Sequence, residues 1–286
     1  MRTLVTGLYG ITGFYIRSEL EAHGHAVVGL SCDLTDAVAV AAEIASVQPE
    51  AAVHLAGISF VGSGNANAFY NVNLVGTRNL LAALAQHVPE VKSILLASSA
   101  NIYGNRSESV LSEESTPDPA NDYAVSKYAM EQMASLWVDR LPLFIVRPFN
   151  YTGIGQDEKF LIPKVVAHFR EKRAVIELGN LEVWREFGDV RAVADIYRRL
   201  LEHRPVGETL NVCSGQTYSL REVIALCEKI TGHSIEIQVN PEFVRANEVR
   251  VLKGDNSRLK GVIGDWQAHN LEETLTWMLS ADKASS

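Results

Sequence analysis

Residues 4–14 read LVTGLYGITGF, and the spacing of three glycines in that stretch decides the fold. Leu4 to Thr6 close a short run that begins at Arg2 (RTLVT), a strand by its apolar and β-branched content. Gly7, Gly10 and Gly13 follow directly, and from Ile11 onward (ITGFYIRSELEAH) apolar residues recur at helical spacing. A strand that turns through residues without side chains into a helix offers free N–H groups and the positive end of the helix dipole to an anion. A pyrophosphate can approach such a turn closely. Three glycines can also mean no more than tight strand-to-helix packing; their position at the start of an alternating pattern favours dinucleotide binding. The spacing is G-x-x-G-x-x-G, one residue longer at its first step than the pattern usual in two-domain dehydrogenases.

The alternation continues outward. HAVVGL, AAVHLA, SILLAS and LFIVRP read as further strands, and AVAVAAEIASV, AFYNVNLVGTRNLLAALAQ and DYAVSKYAMEQMASLWVD carry apolar residues at helical spacing between them. The expectation is an α/β fold, a Rossmann-type doubly wound parallel sheet, with residues 1–150 as the dinucleotide-binding domain. After Pro148 the pattern loosens. YTGIGQDEKFLIP reads as loop, DVRAVADIYRRLLE as a helix, TLNVC as a strand, SLREVIALCEKITG as a helix closed by glycine, and LEETLTWML as a last helix. Residues 151–286 are therefore expected to form mainly a smaller C-terminal α/β substrate-binding lobe, with the chain returning to the sheet near 189–212.

Bulk properties narrow the function class. The 286 residues are 47% hydrophobic and 21% charged, as in a globular protein with a large core. A net charge of -8 without any lysine or arginine block argues against nucleic acid as a partner. Cys32, Cys213 and Cys227 have neither metal-ligand nor redox spacing, so no metal is expected and the thiols read as reduced. A strand from residue 2 leaves no room for a signal peptide, and no apolar run has membrane-spanning length. The expected location is cytoplasmic, with no membrane partner.

In NDYAVSKYAM (121–130), Tyr123 and Lys127 are four apart, so phenol and ammonium share one helix face. Taken alone, the pair is equally an amphipathic helix burying a ring beside a lysine stem. The rest of the chain decides between the two. GLYGITG, HLAG at 54–57, NLVGT at 73–77, SSANIYG at 98–104, YAVSK at 123–127 and RPFN at 147–150 resemble, in order and spacing, the motifs of the extended short-chain dehydrogenase/reductase family. The resemblance spans essentially the whole chain. It implies NADP or NAD as cofactor, held by Gly7, Gly10, Ile11, Gly13, Leu34, Leu55, Ala56, Gly57 and Asn73 together with Tyr123 and Lys127. It makes Ser99, Tyr123 and Lys127 the catalytic set, with Lys127 also on the nicotinamide ribose.

A carbonyl that receives hydride needs a proton on its oxygen. A free phenol with a pKa of about 10 is a modest acid, and a cation one helical turn away is expected to lower that value. The second strand departs from the family: HAVVGL runs within three residues into DLTD, as if a helix and strand were removed. By resemblance Asp33 meets the adenine ring; its alternative role is the N-cap of the next helix, for which Asp36 competes.

LGNLEVWREFGDVRAVAD, NVCSGQ and RANEVRVLKGDNSRL resemble stretches of the group comprising GDP-mannose 4,6-dehydratases and GDP-4-keto-6-deoxy-D-mannose reductases. That likeness assigns Arg185 to the substrate diphosphate, suited to a fixed guanidinium fork, with Arg245 assisting and Glu248 on the nucleotide ribose. Asn150 and Asn180 match positions near the nucleotide sugar, and Ser99 and Asn101 would meet the reacting end. Dehydratases of the group carry a glutamate where this chain has Asn101, and an amide cannot shuttle a proton. The implied activity is NAD(P)H-dependent reduction of C4 in a nucleotide-linked 4-keto-6-deoxy sugar, giving GDP-D-rhamnose. The alternatives are a reductase giving GDP-6-deoxy-D-talose, an epimerase or 4,6-dehydratase, and a non-catalytic dinucleotide sensor. Helices at 66–86 and 122–139 resemble the dimer seam of the family, so a homodimer is expected by analogy.

Overall fold

The computed structural model describes residues 1–58, 65–104, 106, 108, 110–243, 251–264, 266 and 268–281. The N-terminal half lays down β1 (Arg2–Thr6), α1 (Ile11–Ala22), β2 (Ala26–Gly29), α2 (Ala37–Val47), β3 (Ala51–His54), α3 (Ala66–Phe69), α4 (Thr77–His87), β4 (Ser93–Ala97), α5 (Asp122–Ser135) and β5 (Leu143–Pro148). The remainder adds β6 (Tyr151–Thr152), α6 (Leu161–Arg170), β7 (Val175–Leu178), β8 (Trp184–Arg185), β9 (Gly188–Asp189), α7 (Val190–His203), β10 (Thr209–Val212), β11 (Tyr218–Ser219), α8 (Leu220–Thr231), β12 (Glu236–Val239), β13 (Val251–Leu252), α9 (Ser257–Ile263) and α10 (Leu271–Ser280).

Six strands form one sheet in the order β10-β5-β4-β3-β1-β2, every pair parallel. Parallel strands need crossovers, and the crossover helices cover both faces, which is why the strands read as continuous apolar runs. On one face α2, α4 and α5 bring Ile44, Leu80, Leu84 and Met130 onto Leu4, Ile94 and Leu96. On the other, α1, α7 and α9 bring Ile16, Leu20, Ile196, Leu200 and Leu259 onto Val5, Val53 and Phe144. The expected α/β doubly wound architecture is present. β2 is an edge strand, as the short HAVVGL-to-DLTD connection implies. The winding direction reverses at β1, so the crevice beyond the C-terminal ends of β1 and β3 is where a ligand belongs.

A third core, with Val165, Phe169, Ile176, Val223, Ile224 and Leu275, lies among α6, α8, α10 and the short strands of the C-terminal part. There β8 pairs antiparallel with β11 and parallel with β13, β7 pairs with β12, and β6 with β9.

The structure differs from the sequence reading at three places. The helix expected across 66–86 is α3 and α4 joined by a π-helical stretch at Tyr70–Gly76. A Cβ on Gly76 would stand 2.9 Å from the Leu34 Cβ, so a glycine there lets the stretch pack close to Leu34. The helix expected to reach residue 139 ends at Ser135. The stretch expected as loop from Tyr151 contains β6 and the start of α6.

Candidate active site

The glycine turn is built as its composition requires. Gly7 has φ +72°, and a Cβ there would lie 2.9 Å from the Ala56 backbone nitrogen. A Cβ on Gly13 would lie 2.3 Å from the Gly7 carbonyl oxygen, which no rearrangement short of moving backbone relieves. Gly10 caps α1 without any side-chain hydrogen bond, and no acidic residue occupies the first turn. The helix therefore presents unoccupied N–H groups, beginning at Ile11, beside a side-chain-free cradle. That combination fits a dinucleotide pyrophosphate.

Beyond β3 the chain passes over the crevice through Leu55, Ala56 and Gly57. A Cβ on Gly57 would come 2.8 Å from Asn73 Oδ1 and 3.2 Å from Lys127 Nζ, so these side chains close around a space only glycine leaves open. Asn73 Oδ1 accepts from Ile58 N–H at 2.9 Å, and its amide donates to Ile58 O and, at 3.0 Å, to Ser126 Oγ. The Ser126 hydroxyl donates to the Tyr123 carbonyl.

Buried His54 extends this chain of bonds, and their directions can be worked out. Thr77 Oγ1 donates to the Asn73 carbonyl, so it must accept from His54 Nε2–H. A neutral ring then leaves Nδ1 bare to accept from Thr6 Oγ1–H, and the Thr6 oxygen accepts Ala56 N–H. Burial, aided by the Lys127 charge, pushes the imidazole down to about 3, which keeps it neutral. The HLAG motif contains this residue, but sequence reasoning gave it no role; nor did it single out Ser126.

Tyr123 and Lys127 lie on the buried face of α5, which Asn121 caps through Ala124 N–H. Ser99, the second residue after β4, is also buried, and its hydroxyl acts on the Tyr123 phenol. Ser99 Oγ accepts from both the backbone N–H and the side-chain amide of Asn101, each at 3.2 Å. With both lone pairs engaged, its own hydrogen is left for another acceptor.

The electrostatics correct one expectation. Burial pushes the Tyr123 phenol up to about 12, opposed by the Ser99 hydroxyl. The Lys127 ammonium donates to the Ala97 carbonyl at 2.8 Å. Burial brings the lysine down to about 8, opposed by the Glu131 carboxylate one turn further along α5. The net shift of the phenol is upward because desolvation outweighs the groups that favour the phenolate.

Asp36, not Asp33, caps α2, accepting from Val38 and Ala39 N–H. Asp33 instead closes a turn on the Thr35 N–H and hydroxyl, while Leu34 is buried against α4. Across the crevice Asn150 is exposed, and its carbonyl accepts from Gly188. Asn180 Oδ1 accepts Glu182 N–H, and Arg185, half-buried on β8, donates to the Trp184 carbonyl. The next residue, Glu186, is buried and accepts from Ser214 N–H, Ser214 Oγ, Gly215 N–H and Gly254 N–H. It thereby fastens NVCSGQ and KGD around Arg185. Arg245 and Glu248 lie outside the described residues. Among the described residues no cluster of His, Cys, Asp or Glu is built to hold a metal, and no helix is long and apolar enough to cross a membrane.

Residues 3–213 match the model of the NAD dependent epimerase/dehydratase family. The chain belongs to that family. Family membership accounts for the cradle: the protein is an NAD(P)-dependent enzyme of the extended short-chain dehydrogenase/reductase type. It is 38% identical over 271 residues (93% of this chain, 92% of the relative) to GDP-6-deoxy-D-talose 4-dehydrogenase of Aggregatibacter actinomycetemcomitans. It is 33% identical to GDP-6-deoxy-D-mannose reductase of Pseudomonas aeruginosa, covering 98% of this chain and 96% of that one. The solved structure of RMD from Pseudomonas aeruginosa complexed with NADPH superposes with a TM-score of 0.88 at 32% identity, over 98% of both chains.

Proposed function

We propose that this family member reduces the C4 ketone of a GDP-linked 4-keto-6-deoxyhexose, with NADH or NADPH as the hydride donor. The observation that carries the reading is Asn101. A 4,6-dehydratase needs a carboxyl group here to move a proton to and from the sugar; the amide at this position instead donates to Ser99. What remains is a site equipped for one proton and one hydride. Both relatives named above are described by oxidation or reduction of GDP-linked 6-deoxyhexoses, in keeping with that assignment.

The bound nicotinamide supplies the hydride. Everything else falls to the chain. Ser99, its lone pairs taken by Asn101, directs its hydrogen at the oxygen that gains charge. Tyr123 delivers the proton. At about 12 the phenol is a weaker acid than a free one. It is still well below an alcohol, whose pKa is close to the ~15.7 of water, so transfer to an alkoxide runs downhill. An elevated phenol also stays protonated at every working pH, which suits reduction. Lys127 holds a positive charge at the mouth of β4, beside Gly57 and Asn73, where it binds the coenzyme ribose. Arg185, Asn150 and Asn180 hold the nucleotide sugar; residues 1–150, with the return of the chain near 189–212, hold the coenzyme, and the rest of 151–286 is mainly the sugar lobe.

For the product, the compact first half and NVCSGQ favour GDP-D-rhamnose. A second reading, GDP-6-deoxy-D-talose, is favoured by the higher identity to the Aggregatibacter relative. The test is to convert GDP-mannose enzymatically to its 4-keto-6-deoxy form and add this protein with NADH or NADPH. Stoichiometric loss of coenzyme absorbance is expected, with the C4 configuration read by proton NMR. Sugar turnover without net coenzyme oxidation would replace the reading with an epimerase. The α4 and α5 faces are proposed as a homodimer seam, checked by sedimentation.

A further inference from the structure

The adenosine side of the crevice holds a carboxylate that neither the glycine turn nor the catalytic set uses. β2 ends at Gly29, where a Cβ would lie 2.8 Å from Leu8 Cδ2, so the residues after it emerge beside the glycine turn. In sheets of this construction the end of the second strand faces the adenosine ribose. An acid there bonds the free 2′-hydroxyl of NAD, whereas an arginine there accepts the 2′-phosphate of NADP. Here the strand end carries Leu30, Ser31 and Cys32, none of them charged. The charge comes from elsewhere. Glu43, in the second turn of α2, reaches back to accept from Ser31 N–H at 2.7 Å, Ser31 Oγ at 2.9 Å and Cys32 N–H at 3.0 Å.

Successive backbone N–H groups with a serine hydroxyl form the kind of concavity that binds anions. In this chain the concavity is already filled by an internal carboxylate. The other charged side chains hydrogen-bonded to the segment have the same sign: Asp33 on Thr35, and Asp36 on Val38 and Ala39. The donors that keep Glu43 below the usual carboxylate range also keep it charged at neutral pH.

We propose that Glu43 sets coenzyme selectivity, occupying with its carboxylate the donors a 2′-phosphate would need and making the protein prefer NADH over NADPH. This separates the chain from the Pseudomonas aeruginosa structure complexed with NADPH. It rests on coenzyme binding by the family fold, not on which sugar is reduced.

Isothermal titration without sugar tests it on the unaltered protein and on Glu43→Gln. With like charges juxtaposed, the unaltered protein is expected to bind NADH at least about tenfold more tightly than NADPH. Glu43→Gln is expected to narrow that ratio about fivefold, chiefly by improving NADPH. Equal or tighter binding of NADPH by the unaltered protein overturns the proposal. So does a ratio that Glu43→Gln leaves unchanged. Should the variant fail to melt cooperatively, competition on the unaltered protein decides: AMP must displace NADH better than adenosine 2′,5′-bisphosphate, and the reverse order refutes the assignment. Because no sugar is present, failure here leaves the C4 reductase reading standing, and failure of that reading leaves this one.

Discussion

At the scale of single residues, Tyr123 and Lys127 share a helix face yet serve different neighbours, and their titrations separate accordingly. The lysine, brought down to about 8 by burial, is an ammonium below that pH and loses its charge as pH rises through it. If that charge holds coenzyme, kcat/KM for NAD(P)H is flat below about pH 8 and falls up to tenfold per unit above. The tyrosine, near 12, adds no limb in the reductive direction. In the oxidative direction the phenolate is the base, so the rate climbs with pH until the lysine limb opposes it. A profile in both directions from pH 6 to 10 checks this; a reductive rate still rising at pH 9 contradicts it. Tyr123→Phe is expected to cut turnover by about 10²–10⁴, with coenzyme affinity, measured by fluorescence titration, nearly unchanged. The i, i+4 spacing that led to the pair was legible in the sequence. That the ammonium bonds the Ala97 carbonyl was not, because it depends on where β4 ends in space.

Among the elements, the ones legible in advance are those whose pattern is local. The strand-glycine-helix unit at 2–22 and the five apolar strand runs carry their own periodicity, so sheet and crevice could be drawn from the chain alone. The widening at Tyr70–Gly76 could not, since seven residues are too few for apolar spacing to tell a π-helical turn from an α-helical one. The short strands β8, β11 and β13 were equally hidden: two residues each leave no period to read. Gly13→Ala tests the legible part. Its Cβ would meet the Gly7 carbonyl at 2.3 Å, so the turn must open, and coenzyme affinity is expected to drop more than about tenfold. The fit of α5 against the sheet tests the hidden part. Buried Arg147 donates to Glu131 at 2.7 and 3.1 Å and to the Tyr103 hydroxyl at 3.0 Å, which in turn donates to Asn211. Glu131→Ala leaves a buried guanidinium unpaired and is expected to cost about 3–5 kcal/mol in urea unfolding. Glu131→Leu combined with Arg147→Met should recover much of that loss, because two apolar groups need no partner.

Across the whole molecule, the last helix is tied to the first through the core of the C-terminal part, and this seam carries a pH signature. Thr274 of α10 donates to Asp189 at 2.8 Å, and Arg191 forks onto the same carboxylate while lying 3.7 Å over the Trp277 ring. Trp277 meets Tyr15 of α1 edge-on at 5.9 Å, and Tyr15 donates to the Ile154 carbonyl. Trp277→Ala, by opening a half-buried gap, is expected to cost about 2–3 kcal/mol. Asp189 is fully buried, and its hydrogen bonds with Arg191 and Thr274 outweigh desolvation and hold it below its usual value. A carboxyl lowered on folding stabilises the native state above the unfolded pKa, about 3.9, and loses that contribution as pH falls through the folded value. Glu186 has the opposite sign. Desolvation raises it despite four donors, so the folded state binds more protons just above the unfolded value of about 4.3. Stability from this group falls as pH rises through that window. The two carboxylates therefore pull the acid limb in opposite directions, and single variants separate them. Asp189→Asn should flatten the loss of stability below about pH 4. Glu186→Gln should remove the decline just above pH 4.3 while costing about 1–3 kcal/mol at pH 7, because its amide turns one donor against another. Urea midpoints measured every half unit from pH 3 to 7 give both slopes. Parallel curves for Asp189→Asn and the unaltered protein below pH 4 would mean that the seam is not held by this carboxylate.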